Sequence, residues 1–212
     1  MQVLYPPRPK GRLLPHQLPD YEKTGLWVVQ RKFNGTRTVI NITPDRKVTL
    51  YSRHGGLHKQ FKPSRQLLAD IASLNFEPGK EYWLDGEVMD AKTTDARYKD
   101  KVILFDVLFA GKLLFGNPSL MDRLAMLSSI CRNPVKLEPN GIALSITPNL
   151  WMAETFTANF VERFKEMLER DEIEGLVLKK KGSVIDNFGN TEYETSWLIR
   201  CRKPHKGGNY AF

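Results

Sequence analysis

Residues Leu26 to Arg53 read LWVVQRKFNGTRTVINITPDRKVTLYSR. Three runs rich in β-branched and aromatic residues, LWVVQRKF, TRTVINI and RKVTLYSR, are separated by Asn34-Gly35 and by Thr43-Pro44-Asp45, which favour turns. The pattern predicts an antiparallel meander of three strands with Asn34-Gly35 as a tight hairpin. Before it, residues 1–25 carry Pro6, Pro7, Pro9, Pro15 and Pro19 and little periodicity, which predicts an irregular leader lying over the domain. After it, Pro63 to Leu74 has helical apolar spacing, and Glu81 to Asp90 and Lys101 to Phe109 read as strands. The near-continuous apolar run KVILFDVLF predicts a strand buried on both faces.

Further along, Ser119 to Arg132 and Thr157 to Arg170 read as helices, the second with Phe160, Phe164, Met167 and Leu168 on one side. Strands near Gly175 to Lys180 and Ser196 to Arg202 follow, then a basic, glycine-rich tail, KPHKGGNYAF. Strands interrupted by helices without a regular βαβ rhythm predict an α+β fold, with mostly antiparallel sheets flanked by helices. The expected organisation is a leader over 1–25, one domain over 26–203 and a tail over 204–212.

The chain has 212 residues, a formal charge of +8 and 41% hydrophobic residues, enough for one well-filled core and unlike a disordered or collagen-like sequence. No apolar run approaches the ~20 residues that span a bilayer, and the proline-rich start lacks a signal peptide's apolar centre. A cytoplasmic protein is expected, or a viral or phage protein acting in a host cytoplasm. Cys131 and Cys201 are too few for a disulfide framework, and His16, His54, His58 and His205 lack metal-ligand spacing. The positive charge suits a phosphate-rich partner, because bound Lys and Arg release counterions from a nucleic-acid backbone.

Individually the polar features have ordinary readings. Lys32-Phe33-Asn34-Gly35-Thr36-Arg37 is a turn that holds a lysine at the rim of a sheet; a neutral lysine amine could attack phosphorus, with Arg37 steadying a phosphate. In Leu84-Asp85-Gly86-Glu87, alternation puts both carboxylates on one face, where they could meet a cation or ribose hydroxyls. Glu174 precedes the apolar run GLVL and then Lys179-Lys180-Lys181. In the last strand alternation puts Trp197, Ile199 and Cys201 on one face and Arg200 and Arg202 on the other, so one face is core and one cationic.

Taken in order, these pieces resemble the covalent nucleotidyltransferase superfamily of ATP-dependent DNA ligases, RNA ligases and mRNA capping enzymes. KFNGTR resembles motif I (Lys-x-Asp-Gly-x-Arg), and LYSRHGG the Ser-Arg-x-Gly segment that follows it in DNA ligases. LDGE resembles motif III, ILFDVLFAGK motif IIIa, EGLVLK motif IV, and SWLIRCRK falls where motif V belongs. The resemblance covers about Gln30 to Lys203. It implies the ATP-grasp-like nucleotidyltransferase (adenylation) domain of DNA ligases, with Lys32 attacking the α-phosphorus of ATP to give lysyl-AMP. AMP would pass to a 5′-phosphate, and a 3′-hydroxyl would seal the strand.

The other roles implied by the resemblance are specific. Gln30 would read the adenine edge, Phe105 would stack on adenine, and Arg37 and Arg53 would hold ribose, phosphate or the nick. Glu87 would contact ribose or the metal and Glu174 would help bind the metal, Mg²⁺ or Mn²⁺, with Lys179 (or Lys180), Arg200 and Arg202 on the phosphates. Catalytic weight falls on Lys32, Arg37, Glu87, Glu174 and Lys179. The implied partner is nicked double-stranded DNA, as in DNA repair or replication, with RNA as the alternative. A monomer is expected, and a partner protein could supply nick binding. A non-catalytic nucleic-acid-binding module of the same fold is the reading from another class.

This sequence departs from the family pattern in three places. Asn34 stands where motif I usually has aspartate, and Arg200 and Arg202 are displaced by one residue from motif V's usual lysines. The few residues after motif V lead to the expectation of no OB-fold domain, which usually carries motif VI, whether as an excised domain, a minimal enzyme or one half of a partnership. In motif IV, moreover, strict alternation separates Glu174 from Lys179 unless a bulge intervenes.

Overall fold

A computed structural model describes residues 3–59, 61–89, 95–112, 114, 116–132, 134–136, 141–185 and 193–204. The tail expected over 204–212 therefore lies, beyond Pro204, outside the described residues. Among the described residues the fold is α+β, with a five-stranded and a seven-stranded sheet and helices packed on their outer faces.

The first sheet has five strands in the order β1-β12-β11-β2-β10. These are β1 (Arg8–Leu13), β2 (Trp27–Phe33), β10 (Thr155–Phe156), β11 (Ile173–Lys180) and β12 (Glu194–Arg202). Val29, Leu176, Leu178, Ile199 and Cys201 point from it into a buried cluster with Leu18 of α1 (Leu18–Lys23) and Phe160 and Phe164 of α4 (Phe160–Lys165). By strand alternation, Gln30, Lys32, Lys179, Arg200 and Arg202 occupy the other face.

The second sheet has seven strands, ordered β4-β3-β5-β6-β9-β8-β7. Its centre is β3 (Thr36–Ile42), β5 (Tyr82–Met89) and β6 (Lys101–Ala110), with β4 (Val48–Ser52) at one edge and short β7 (Val135–Lys136), β8 (Leu144–Ser145) and β9 (Leu150–Met152) toward the other. Ser64 caps α2 (Arg65–Ala72) by accepting from Leu67 N, and Ser119 with Asp122 forms a capping box on α3 (Leu120–Ile130). Leu67 and Ile71 of α2 and Leu127 and Ile130 of α3 pack with Ile40, Ile42, Leu84, Val102 and Leu104. Strand β6 is covered on both faces, since Ile103 and Leu108 belong to other clusters than Val102 and Leu104.

Three expectations need correction. The predicted three-strand meander does not form: β2 pairs with β11 and β10, whereas β3 pairs with β4 and β5. Neither Asn34 nor Gly35 has the positive φ that a type I′ hairpin turn requires, so Asn34-Gly35 is the point where the chain crosses between sheets. A Cβ on Gly35 would lie 2.3 Å from the carbonyl oxygen of Val88, so the crossing is pressed against β5. The leader expected to be irregular contains β1, paired in parallel with β12, and α1. An edge strand tolerates Pro9, whose missing N–H breaks no central ladder.

In the third, α4 is shorter than the Thr157 to Arg170 helix expected, and Leu168 is 38% exposed while Phe160, Phe164 and Met167, expected on the same side, are buried. In β11, the bulge that the sequence left open is present. The strand's register against β2 shifts between Ile173 and Gly175, and Gly175 has φ +145° with a hypothetical Cβ 2.1 Å from Cys201 O. This glycine bulge turns Glu174 to the same side as Lys179, which strict alternation forbids. Among the described residues no helix is long and apolar enough to cross a membrane.

Candidate active site

The bare faces of the two sheets meet around Lys32. Strand β2 delivers Gln30 and Lys32 to this face, and after the Asn34-Gly35 crossing β3 delivers Arg37 from the opposite side. The crossing is tied down at both residues: Asn34 N donates to Glu172 O at 2.9 Å, and Gly35 N to Glu87 Oε1 at 3.1 Å. Asn34 Nδ2 donates to Asp171 O at 3.2 Å, a bond an aspartate carboxylate could not make.

Lys32 Nζ donates to Glu174 Oε2 at 2.6 Å, with side-chain exposures of 22% and 27%. The Gly175 bulge creates this pair, because Gly175 rather than Glu174 is the register partner of Lys32. Arg202 Nε lies 3.5 Å from the same Glu174 oxygen. Across the site Arg37 grips Asp85 with both prongs, Nε to Oδ1 at 2.9 Å and Nη2 to Oδ2 at 2.5 Å. Its third nitrogen, Nη1, donates to Pro7 O at 2.9 Å, so the segment entering β1 helps hold the arginine. Burial works against the Arg37 charge, but Asp85, Glu87 and Asp106 outweigh it and hold the guanidinium above its ordinary value.

Two other groups are shifted toward neutrality. Burial raises the Glu87 carboxyl to about 7, against the pull of Lys32 and Arg37, and nearby Glu174 adds to the rise. Burial lowers the Lys179 ammonium to about 8, against the attraction of Asp106 and Asp85. Lys179 Nζ sits 5.7 Å from the Phe105 ring centroid and 3.5 Å from Phe105 O, joining the two sheets. Gln30 is buried and gives an amide N–H to Thr155 Oγ1 at 2.9 Å.

The predicted residues are thus not equally placed. Lys32, Arg37, Glu87, Glu174, Lys179, Phe105 and Gln30 converge. Lys180, the competitor of Lys179, is exposed at the end of β11. Arg53 lies in the exposed turn after β4, its Nε donating to His54 Nε2 at 3.1 Å. Since Ser52 pairs with Thr38, that turn is one strand over from Arg37. Arg200 pairs with Val177, itself the partner of Gln30, and so lies two strands from β2.

The structural roles of three groups at this site were not read from the sequence. Thr155 orients Gln30 from β10, a two-residue strand with no pattern of its own. Asp85 was noted only as a cation candidate, and its use is to lock Arg37. Asp106 forms a buried bidentate pair with fully enclosed Arg123, at 2.9 and 3.0 Å, which pins α3 to β6 behind Lys179. A lone aspartate inside an apolar strand signals such a pair.

The family model described as RNA ligase matches residues 25–194, which include every converging residue. The chain belongs to the RNA ligase family. No curated protein sequence matches it. Among solved structures, this RNA ligase family member is similar to mycobacterial DNA ligase D complexed with ATP and MES, with TM-score 0.61 and 18% identity over 94% of this chain and 60% of that one. It is also similar to the ATP-dependent DNA ligase of bacteriophage T7 in complex with ATP, with TM-score 0.56 and 10% identity over 91% of this chain and 67% of that one. A Lig E DNA ligase, described as binding DNA with a minimal scaffold, gives TM-score 0.54 and 19% identity over 94% of this chain and 70% of that one. The fold is that of the nucleotidyltransferase domain of ATP-dependent DNA ligases. The chain spans about 60% of the ligase D structure it matches.

Proposed function

We propose that this protein catalyses nucleotide transfer in ATP-dependent polynucleotide ligation, with Lys32 as the residue that carries AMP. The observation that carries the reading is the convergence of Lys32, Glu174, Arg37, Glu87 and Lys179, drawn from two sheets, around one lysine amine. Phosphoryl-type transfer depends mostly on alignment and charge neutralisation, and these side chains supply both.

Lys32 is held as an ion pair with Glu174, so its attack begins with release of that partner and loss of a proton. Lys32 Nζ then bonds to the α-phosphorus of ATP as the bond to the bridging oxygen of pyrophosphate breaks. Lys179 and Arg37 are placed to hold phosphate oxygens, and the Asp85 grip keeps the Arg37 fork in one orientation. Gln30, with an amide N–H given to Thr155, offers its carbonyl oxygen to adenine's exocyclic amine, and Phe105 offers its ring to the base.

Glu87 and Glu174 are the carboxylates that would hold Mg²⁺ or Mn²⁺. Among the described residues no cluster of three or more His, Cys, Asp or Glu surrounds a metal position. Two carboxylates fit a hard cation that keeps water and phosphate oxygens as its remaining ligands. Bound there, the cation would neutralise phosphate charge.

The acceptor is a 5′-phosphorylated end, most simply at a nick in duplex DNA, with sealing by a monomer in the cytoplasm. The family match favours a second reading, in which the joined strands are RNA. Incubation with ATP and Mg²⁺, followed by nicked DNA, nicked RNA and single-stranded RNA, tests both. Release of pyrophosphate and joining of one of these substrates is expected. Formation of no pyrophosphate and no protein-bound nucleotide, by protein stripped of AMP, would contradict the proposal and leave a binding module.

A further inference from the structure

Strand β1 places a second cationic group beside the site. Arg12 is the register partner of Arg200, and Leu13 of Cys201. Because Leu13 and Cys201 share the buried cluster, Arg12 and Arg200 point together to the face that carries Gln30, Lys32 and Lys179. Gly11 confirms the facing, since a Cβ there would meet the Ile199 side chain at 3.3 Å.

Charge accounting separates these two arginines from the rest of the face. Lys32 and Arg202 share Glu174, Arg37 has Asp85, and Arg8 has Glu194 at 3.1 Å. Arg12 and Arg200 have no carboxylate partner among the described residues. Arg200 Nε is enclosed by protein and has no hydrogen-bond acceptor among them. Burial, then the charges of Arg202 and Arg12, hold the Arg200 guanidinium below its ordinary value; Glu194 opposes this and Arg8 adds to it. Two adjacent guanidiniums with free donors and mutual repulsion make a receptor for an anion with several oxygens.

Position narrows the anion. Neighbouring strands lie ~4.8 Å apart, so Arg12, three strands from β2, stands roughly 14 Å from the strand that carries Lys32. A phosphate held there is a different group from the one bonded to Lys32 Nζ. Arg12 and Lys10 are exposed on an edge strand, so the row runs open-ended off the sheet, as a continuing polynucleotide backbone requires and a nucleotide's polyphosphate tail does not.

We propose that Arg12 and Arg200 form a backbone-phosphate site for the polynucleotide whose end reacts at Lys32, so that β1 is a nucleic-acid-binding strand. The inference rests on the ligase reading for what happens at Lys32, but its own readout is binding. Labelled nicked duplexes, one of DNA and one containing RNA, are titrated with wild type, Arg12→Ala and Arg12→Lys at several salt concentrations. The rate of lysine adduct formation from ATP is measured alongside, and thermal melts check folding.

Arg12→Ala is expected to bind about ten-fold more weakly at low salt, whatever the strand sequence. Its slope of log affinity against log salt should fall by about 1, and Arg12→Lys should restore most of the slope. Adduct formation should stay within about two-fold of wild type. An Arg12→Ala variant with slower adduct formation and intact polynucleotide binding overturns the proposal in favour of a polyphosphate-tail site. Binding and slope equal to wild type overturn it in favour of a solvated sheet face. Wild type that forms no adduct yet shows the Arg12-dependent slope defeats the ligase reading and leaves the phosphate site standing.

Discussion

Lys32 and Arg37 leave the same short segment for opposite walls of the site, and the two walls hold their charges differently. Arg37 is gripped by both oxygens of Asp85, whose side chain is only 5% exposed, and by the Pro7 carbonyl. Lys32 has one bond to Glu174, which is 27% exposed and also faces Arg202. One wall is locked and one is exchangeable. A reaction in which one amine must shed its partner while phosphates are held still needs that division.

The contrast can be broken most severely at the locked wall. Arg37→Ala leaves Asp85 as a nearly buried, unpaired charge and should cost about 3 kcal/mol of stability, largely recovered in Arg37→Met/Asp85→Leu. Urea melts check this, and a loss below about 1 kcal/mol would show that the grip is not a lock. Gly175→Ala comes next, because its φ of +145° and the contact with Cys201 O cannot accommodate a Cβ. A loss of about 2 kcal/mol is expected, with slower adduct formation because Glu174 shifts. Near-normal stability would mean that the bulge relaxes freely.

Lys179 sharpens the comparison through pH. Its ammonium is charged below about 8 and neutral above, so phosphate attraction in the empty protein is present at lower pH and lost as pH rises through that value. The kcat/KM for ATP should fall along that limb, measured as initial adduct rates. In Lys179→Met it should be about ten-fold lower near neutrality, with no such limb. An identical alkaline limb in the variant would assign the titration elsewhere. The smallest effect belongs to the exchangeable wall: Glu174→Gln should change unfolding free energy by less than about 1 kcal/mol. A loss as large as that of Arg37→Ala would erase the distinction between the walls.

Much of the candidate site was legible because its residues fall in motifs that follow chain order. The converging residues sit in motifs that resemble those of ligases, and most strands and helices carry the expected periodicity. What was illegible depended on distant partners. Asn34-Gly35 has the local chemistry of a hairpin turn, but β2 finds its partner in β11, far along the chain, so the turn became a crossing. RPKGRL has no apolar alternation and reads as a strand only once β12 stands beside it. A bulge near Glu174 was left open by the sequence, yet only the register against Lys32 showed that it forms at Gly175 and turns Glu174 toward the lysine. The Gln30 orienter, Thr155, lies on a strand too short to leave a pattern.

The most direct test is the location of the nucleotide on the protein. Protein stripped of AMP is incubated with ATP and Mg²⁺, digested, and its peptides weighed, with Lys32→Ala treated in parallel. The expected result is a mass gain of one AMP on the peptide bearing Lys32, absent from the variant. A gain on another lysine, or one that persists in Lys32→Ala, would contradict Lys32 as the nucleophile.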